Sequence, residues 1–152
     1  MLENCAGGAF MQTDHVKTAT VRWIGKQQFV AVGPSGHAIA IDSDRSSNTA
    51  PGPMEFLLLA LGACTATDIV IILEKKRQKL QFLEVICSGE RADDPPQVWT
   101  KLNILFRLRG HLEESGVKQA IQLSEEKYCS VSATLKKTAE LTWNYEILPP
   151  AD

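Results

Sequence analysis

Pro53-Met54-Glu55-Phe56-Leu57-Leu58-Leu59-Ala60-Leu61-Gly62-Ala63-Cys64-Thr65-Ala66-Thr67-Asp68 is the stretch on which the reading of this chain turns. A polar loop, Asp42 to Gly52, delivers the chain to Pro53, and proline suits a first helical turn because its missing N–H would be unpaired there anyway. The pattern predicts one long helix, from about Pro53 to Gln78. It is apolar nearly all round from Phe56 to Leu73, so it must be covered on most sides, by a sheet and with a second subunit as the candidate for the remainder. The run is about as long as a membrane span, yet it carries Gly62, Thr65, Thr67 and Asp68 and ends in Glu74-Lys75-Lys76-Arg77. A buried core helix fits those residues better.

Outward from this helix the pattern changes to strands. Upstream, Thr18 to Ile24, Phe29 to Val32 and Ala38 to Ile41 are β-branched runs separated by Gly25-Lys26 and Gly33-Pro34-Ser35-Gly36, which predicts a three-stranded meander. Downstream, Leu80 to Cys87 and Trp99 to Leu108 read as strands, joined by a loop that carries Pro95-Pro96. Glu113 to Lys127 reads as an amphipathic helix with Val117, Ala120, Ile121 and Leu123 inward. A short helical turn after Cys129 and a strand over Lys137 to Ile147 complete the order β-β-β-α-β-β-α-α-β. The expectation is an α+β domain over residues 17–152, with antiparallel sheets around a long central buried helix. Residues 1–16 are expected to be a mobile arm in which Met11 could itself be a start, and Cys5 is given no role.

Composition narrows the function. The chain has 152 residues, of which 44% are hydrophobic and 22% charged, as in a soluble globular protein. Sixteen Lys and Arg against 18 Asp and Glu give a net charge of −2, so neither nucleic acid nor an anionic membrane is indicated and a small, uncharged partner is expected. Four cysteines are too few for a disulfide-stapled secreted fold, and the start lacks the order of a signal peptide, so the cytosol is the expected compartment. No C-x-x-C pair is present and the three histidines are scattered, so the spacings predict no metal site.

The residues able to carry chemistry are few. Cys64 sits among small side chains that leave room beside its sulfur, which suits a reactive thiol, while the alternative is a buried cysteine serving as a small hydrophobe. Cys129 precedes Ser130-Val131-Ser132-Ala133-Thr134-Leu135 and would point its sulfur at helix N-terminal amides that favour thiolate. The two, far apart in sequence, would form a reactive and resolving pair only if the fold joins them. Glu55, in the first turn of the long helix, is placed to hold an arginine such as Arg45, or simply to cap the helix beside a solvated arginine. Nine residues at 100° each set Glu55 on the opposite face from Cys64 and about 13 Å away, so a shared site would need Glu55 from a partner chain. Asp68 lies one turn beyond Cys64 on the same face, where a carboxylate damps a thiol, binds a donor or caps a polar pocket. Cys87 reads as core.

The P-x-E-(x₈)-C helix followed by Tyr128-Cys129-Ser130-Val131-Ser132 resembles the OsmC/Ohr family of osmotically inducible and organic-hydroperoxide-resistance proteins, over roughly Lys17 to Ile147. The Gly62-Ala63-Cys64-Thr65-Ala66-x-Asp68 variant is closer to its YhfA-like branch. The resemblance implies an intertwined homodimer with active sites at the interface, and a thiol-dependent peroxidase that reduces organic hydroperoxides in oxidative stress defence. It assigns Cys64 as the reactive thiolate, Cys129 as the resolving cysteine, Glu55 as the holder of an arginine, and Arg45 as that arginine. It implies an external dithiol reductant of the lipoyl type and no metal, haem or flavin. Asp68 departs from the best-studied peroxidases and stands as a modulator. The alternative is a dimeric ligand-binding or other thiol-reactive protein of the same fold.

Overall fold

A computed structural model describes residues 16–151. The arm expected over residues 1–16 lies outside the described residues, as does Cys5, except for an exposed Val16. The chain forms two compact units that meet in sequence at Pro53 and Met54.

The described part of the first unit is the expected meander: β1 (Thr20–Gly25), β2 (Gln28–Val32) and β3 (Ala38–Asp42), all antiparallel. Lys26 at φ +47° turns the first hairpin, beside a bulge between Trp23 and Gly25. Asp42 ends β3 and organises the loop after it. Its carboxylate accepts from the Asp44 N–H at 2.9 Å, the Ser47 hydroxyl at 2.6 Å and the Thr49 N–H at 3.1 Å. The sheet is unusual in what it leaves outside: Val21, Trp23, Ile24 and Ile39 are all exposed, Trp23 by 66%.

The second unit holds α1 (Pro53–Lys75), β4 (Lys79–Arg91), β5 (Trp99–His111), α2 (Glu114–Leu123), α3 (Ser130–Leu135) and β6 (Glu140–Leu148). β5 is the central strand, and its alternation is sharp. Leu102, Ile104, Phe106 and Leu108 are at most 2% exposed and face the core, while Arg107 on the other face pairs with Glu84 and Glu146 of the flanking strands. Leu61, Ile69, Ile72 and Leu73 of α1 and Val117, Ala120 and Ile121 of α2 join the same core. α1 ends at Lys75, short of the expected Gln78, because Arg77 takes a left-handed φ of +57° and the Gln78 N–H returns to the Leu73 carbonyl at 3.0 Å.

Two expectations are corrected, and a third is met in part by a single chain. The sheets are not wholly antiparallel, since β6 runs parallel to β5 from Lys101 opposite Glu140 to Arg109 opposite Leu148. The helical connection between them supplies the long crossover that parallel pairing needs. A single chain supplies only part of the cover expected for α1: one stripe, Leu61, Thr65, Ile69, Ile72 and Leu73, is buried, whereas Leu59, Val70 and Ile71 are exposed. By length and composition alone this helix qualifies as a membrane span, but that stripe is seated in the unit's core. Finally, the helix expected over Glu113 to Lys127 stays α-helical only to Leu123. Ser124–Tyr128 form a π-helical turn in which the Cys129 N–H reaches back to the Ser124 carbonyl at 2.8 Å.

Candidate active site: two cysteines and a carboxylate

Cys64 and Asp68 lie one turn apart on α1, so their side chains project from the same helix face. Thr65 and Thr67 return their hydroxyls to carbonyls of their own helix, Leu61 at 3.0 Å and Ala63 at 2.8 Å, and so are spent as donors. The π-helical turn carries the chain from α2 to Cys129, which adopts an extended conformation and caps α3. The result joins residues 65 positions apart in the chain. The sulfurs of Cys64 and Cys129 and a carboxylate oxygen of Asp68 all lie within 4.8 Å of one another. Both thiols are free. A sulfur–sulfur bond is about 2.05 Å long, so a closing movement of less than about 3 Å would join them.

The electrostatics are set by burial. The Ser132 N–H donates to Cys129 Sγ at 3.3 Å, the expected capping bond, and it favours thiolate. The thiol is nevertheless pushed up to about 12, because burial dominates and the neighbouring Cys64 and the Glu125 charge add to it. Cys129 is therefore a protonated thiol at neutral pH, contrary to the expectation from the helix terminus alone. Cys87, on β4 opposite Ile104, is likewise raised, to about 11, mainly by burial and then by Glu125. It packs against the core as expected, close enough to α1 that a Cβ on Gly62 would stand 3.3 Å from its sulfur.

The π-helical turn also brings in residues that the sequence reading passed over. Ser124 is fully buried and its hydroxyl donates to Asp68 Oδ2 at 2.8 Å, fixing that carboxylate. Glu125 has a side chain only 2% exposed. It accepts from the Ser132 hydroxyl at 2.7 Å and pairs with the Lys136 ammonium at 2.9 Å, while its Oε1 has no hydrogen-bond partner among the described residues. Ser124 and Glu125 continue the inward face of α2, on which Gly116, Val117, Ala120 and Ile121 are buried, at the next four-residue step. The available signal was their position, four and five residues before Cys129, which had the appearance of an ordinary solvated face. Asp68 also borders a cavity of about 400 Å³ lined by Ile71, Ile72, Lys75, Lys76, Leu123 and Tyr128.

Of the other expected site residues, Glu55 stands apart from this cluster. Glu55 is exposed in the first turn of α1, so the straight rise of the helix separates it from Cys64 by about 13 Å within one chain. Arg45 belongs to the first unit and is exposed on the loop that Asp42 organises.

A family model described as OsmC-like protein matches residues 46–144. Protein YhfA of Escherichia coli K12 is 40% identical over 131 residues, covering 86% of this chain and 97% of that protein. A hypothetical protein from Aquifex aeolicus has a crystal structure that superposes with a TM-score of 0.81 at 29% identity, over 90% of this chain and 99% of the other. An organic hydroperoxide resistance protein OsmC from Legionella pneumophila shares the fold at 12% identity, with a TM-score of 0.63 over 89% of this chain and 99% of the other. The β-β-β-α-β-β-α-α-β order, the thiol on the long helix and the second thiol ahead of α3 thus meet in a match that spans most of the chain: it belongs to the OsmC-like protein family.

Proposed function

We propose that the protein is a thiol-dependent peroxidase that reduces organic hydroperoxides to alcohols. The observation that carries this is the Cys64–Cys129 pair: two free thiols from separate elements, held within 4.8 Å. Family membership supports a thiol-redox role, and the pair gives that role its chemistry. The Cys64 thiolate attacks the distal peroxide oxygen, the O–O bond breaks, and the alkoxide leaves as alcohol after taking a proton. Cys64 is left as a sulfenic acid. Cys129 then gives up its proton, its sulfur attacks Cys64, and the hydroxyl departs as water with formation of the disulfide. An external dithiol, of the lipoyl type, returns both thiols. Ile71, Ile72, Leu123 and Tyr128 in the cavity beside Asp68, which Lys75 and Lys76 also line, offer a hydrocarbon body apolar surface that hydrogen peroxide cannot use.

Asp68 acts as a modulator in this scheme, since its charge opposes a thiolate beside it. Arg45 would supply the compensating cation, held by Glu55 of a second copy. The second copy is supported by what each unit leaves uncovered: Trp23, Val21, Ile24 and Ile39 in one, and Leu59, Val70 and Ile71 on α1 in the other. A homodimer of this kind is the rule in the OsmC/Ohr family. The test is turnover with cumene hydroperoxide and a dithiol. Cys64→Ser abolishes turnover, Cys129→Ser consumes one equivalent and stalls, and Cys87→Ser leaves turnover intact; equal activity of the first two variants overturns the mechanism. Light scattering of a monomer would remove Glu55 from the site.

A further inference from the structure

The sulfurs of Cys64 and Cys129 and the carboxylate of Asp68 form a triangle with no side longer than 4.8 Å. Three points so confined share a centre no more than about 2.8 Å from each, whereas zinc takes thiolate sulfur at about 2.3 Å and carboxylate oxygen at about 2.0–2.2 Å. A contraction of about half an ångström is all that separates this arrangement from a coordination sphere. We infer that Cys64, Asp68 and Cys129 bind a soft divalent cation of the zinc class, with its fourth position open.

Chemistry and support both point to such an ion. Two sulfurs and one carboxylate suit zinc and cobalt and do not suit the oxygen-seeking magnesium or calcium. Each donor is oriented by a neighbour: Asp68 by the Ser124 hydroxyl at 2.8 Å, and Cys129 by the Ser132 N–H at 3.3 Å. Such bonds hold ligands in a metal-binding pose. The spacing rules missed the site because two donors come from successive turns of α1 and the third from the residue ahead of α3, with no local motif to mark them.

This binding and disulfide formation exclude one another, because they use the same two sulfurs. An organic hydroperoxide that takes two electrons from the bound thiolates, and two protons from solvent, yields alcohol and water. The disulfide forms and the ion is released with its charge unchanged. Ion binding and the disulfide are thus alternative states of the same pair, and the binding itself requires only that the pair be reduced.

The test is an anaerobic titration of the reduced full chain with Co²⁺, read by thiolate-to-cobalt charge-transfer absorption and followed by displacement with Zn²⁺. The expected result is one ion per chain, unchanged in a Cys5→Ser/Cys87→Ser double variant that keeps only the pair. The charge-transfer band is lost in Cys64→Ser and Cys129→Ser. The dissociation constant rises about tenfold in Ser124→Ala and by more in Asp68→Asn. A wild-type chain without the band, or a band that persists in Cys64→Ser or disappears in the double variant, overturns the site. No peroxide enters the titration, so a chain that binds Co²⁺ but ignores hydroperoxide refutes the peroxidase reading and leaves this inference standing.

Discussion

Lys136→Met isolates a buried charge that the fold brings up to the cysteines, that of Glu125. Glu125 has a side chain 2% exposed, and Lys136 supplies two of its contacts, to Oε2 and to the backbone carbonyl, each at 2.9 Å. With the lysine gone, the carboxylate keeps only the Ser132 hydroxyl, since Oε1 has no hydrogen-bond partner among the described residues. Breaking a buried pair from one side costs about 3–5 kcal/mol. Lys136 is itself 36% exposed and already shares its charge with water, so we place the loss at the low end, about 3 kcal/mol. For a chain of this size that lowers Tm by roughly 6–12 °C. The decisive comparison is the double variant Glu125→Gln/Lys136→Met, which removes both charges and should recover to within about 1 kcal/mol of wild type. The assay is urea unfolding of the reduced protein, followed by the rate at which the Cys64–Cys129 disulfide closes, which should fall in the single variant because the unpaired carboxylate holds Cys129 further from thiolate. A single variant that loses less than about 1 kcal/mol, or a double variant as unstable as the single one, refutes the assignment of Glu125 as a buried, lysine-compensated charge.

Further perturbations separate packing from chemistry. Gly110→Ala should destabilise by about 3 kcal/mol or more in thermal unfolding, because φ is +147° there and a Cβ would meet the Lys79 carbonyl oxygen. Alkylation of Cys129 by iodoacetamide in the folded, reduced protein should quicken about tenfold per pH unit from pH 8 to about 11, because the thiol titrates near 12; a plateau near pH 9 would contradict the burial argument. Cys129 and Cys87 hold their protons more tightly folded than unfolded, so their stabilising contribution is complete below about pH 9 and is lost as pH rises toward 11 and 12, which alkaline unfolding of the reduced protein checks. Asp42 has the opposite sign. Hydrogen bonds from Ser47 and Thr49 hold its carboxyl well below the usual range, so the loop it ties should become protease-sensitive as pH falls through that range, and already at neutral pH in Asp42→Ala.

The fold was legible because its patterns are local. β5 alternates strictly, the Pro53-initiated apolar run can only be a long helix, and the glycine-rich breaks upstream mark a meander. Strand direction was not legible, since alternation is identical in parallel and antiparallel strands and only the length of the crossover before β6 distinguishes them. Within the site, Cys64, Asp68 and Cys129 were each visible as residues, but that they converge is a property of the packing of α1 against the turn before α3. Ser124 and Glu125 lie at the next helical step after Ala120 and Ile121 on the buried face, but as polar residues they read as a solvated end of the helix, and their partners Asp68, Ser132 and Lys136 come from elsewhere in the chain. The ionisation of Cys129 shows the same limit of local reading: the capping N–H was predictable, whereas the burial that outweighs it comes from the core cluster that Cys129 joins.

The central claim is that Cys64 and Cys129 act as one redox pair. It is tested most directly by mass spectrometry of the reduced protein after one equivalent of cumene hydroperoxide, with free thiols alkylated before digestion. The account predicts a Cys64–Cys129 disulfide, with Cys87 recovered alkylated. Recovery of all four cysteines as alkylated thiols would contradict it and leave the family relationship as a statement about fold alone.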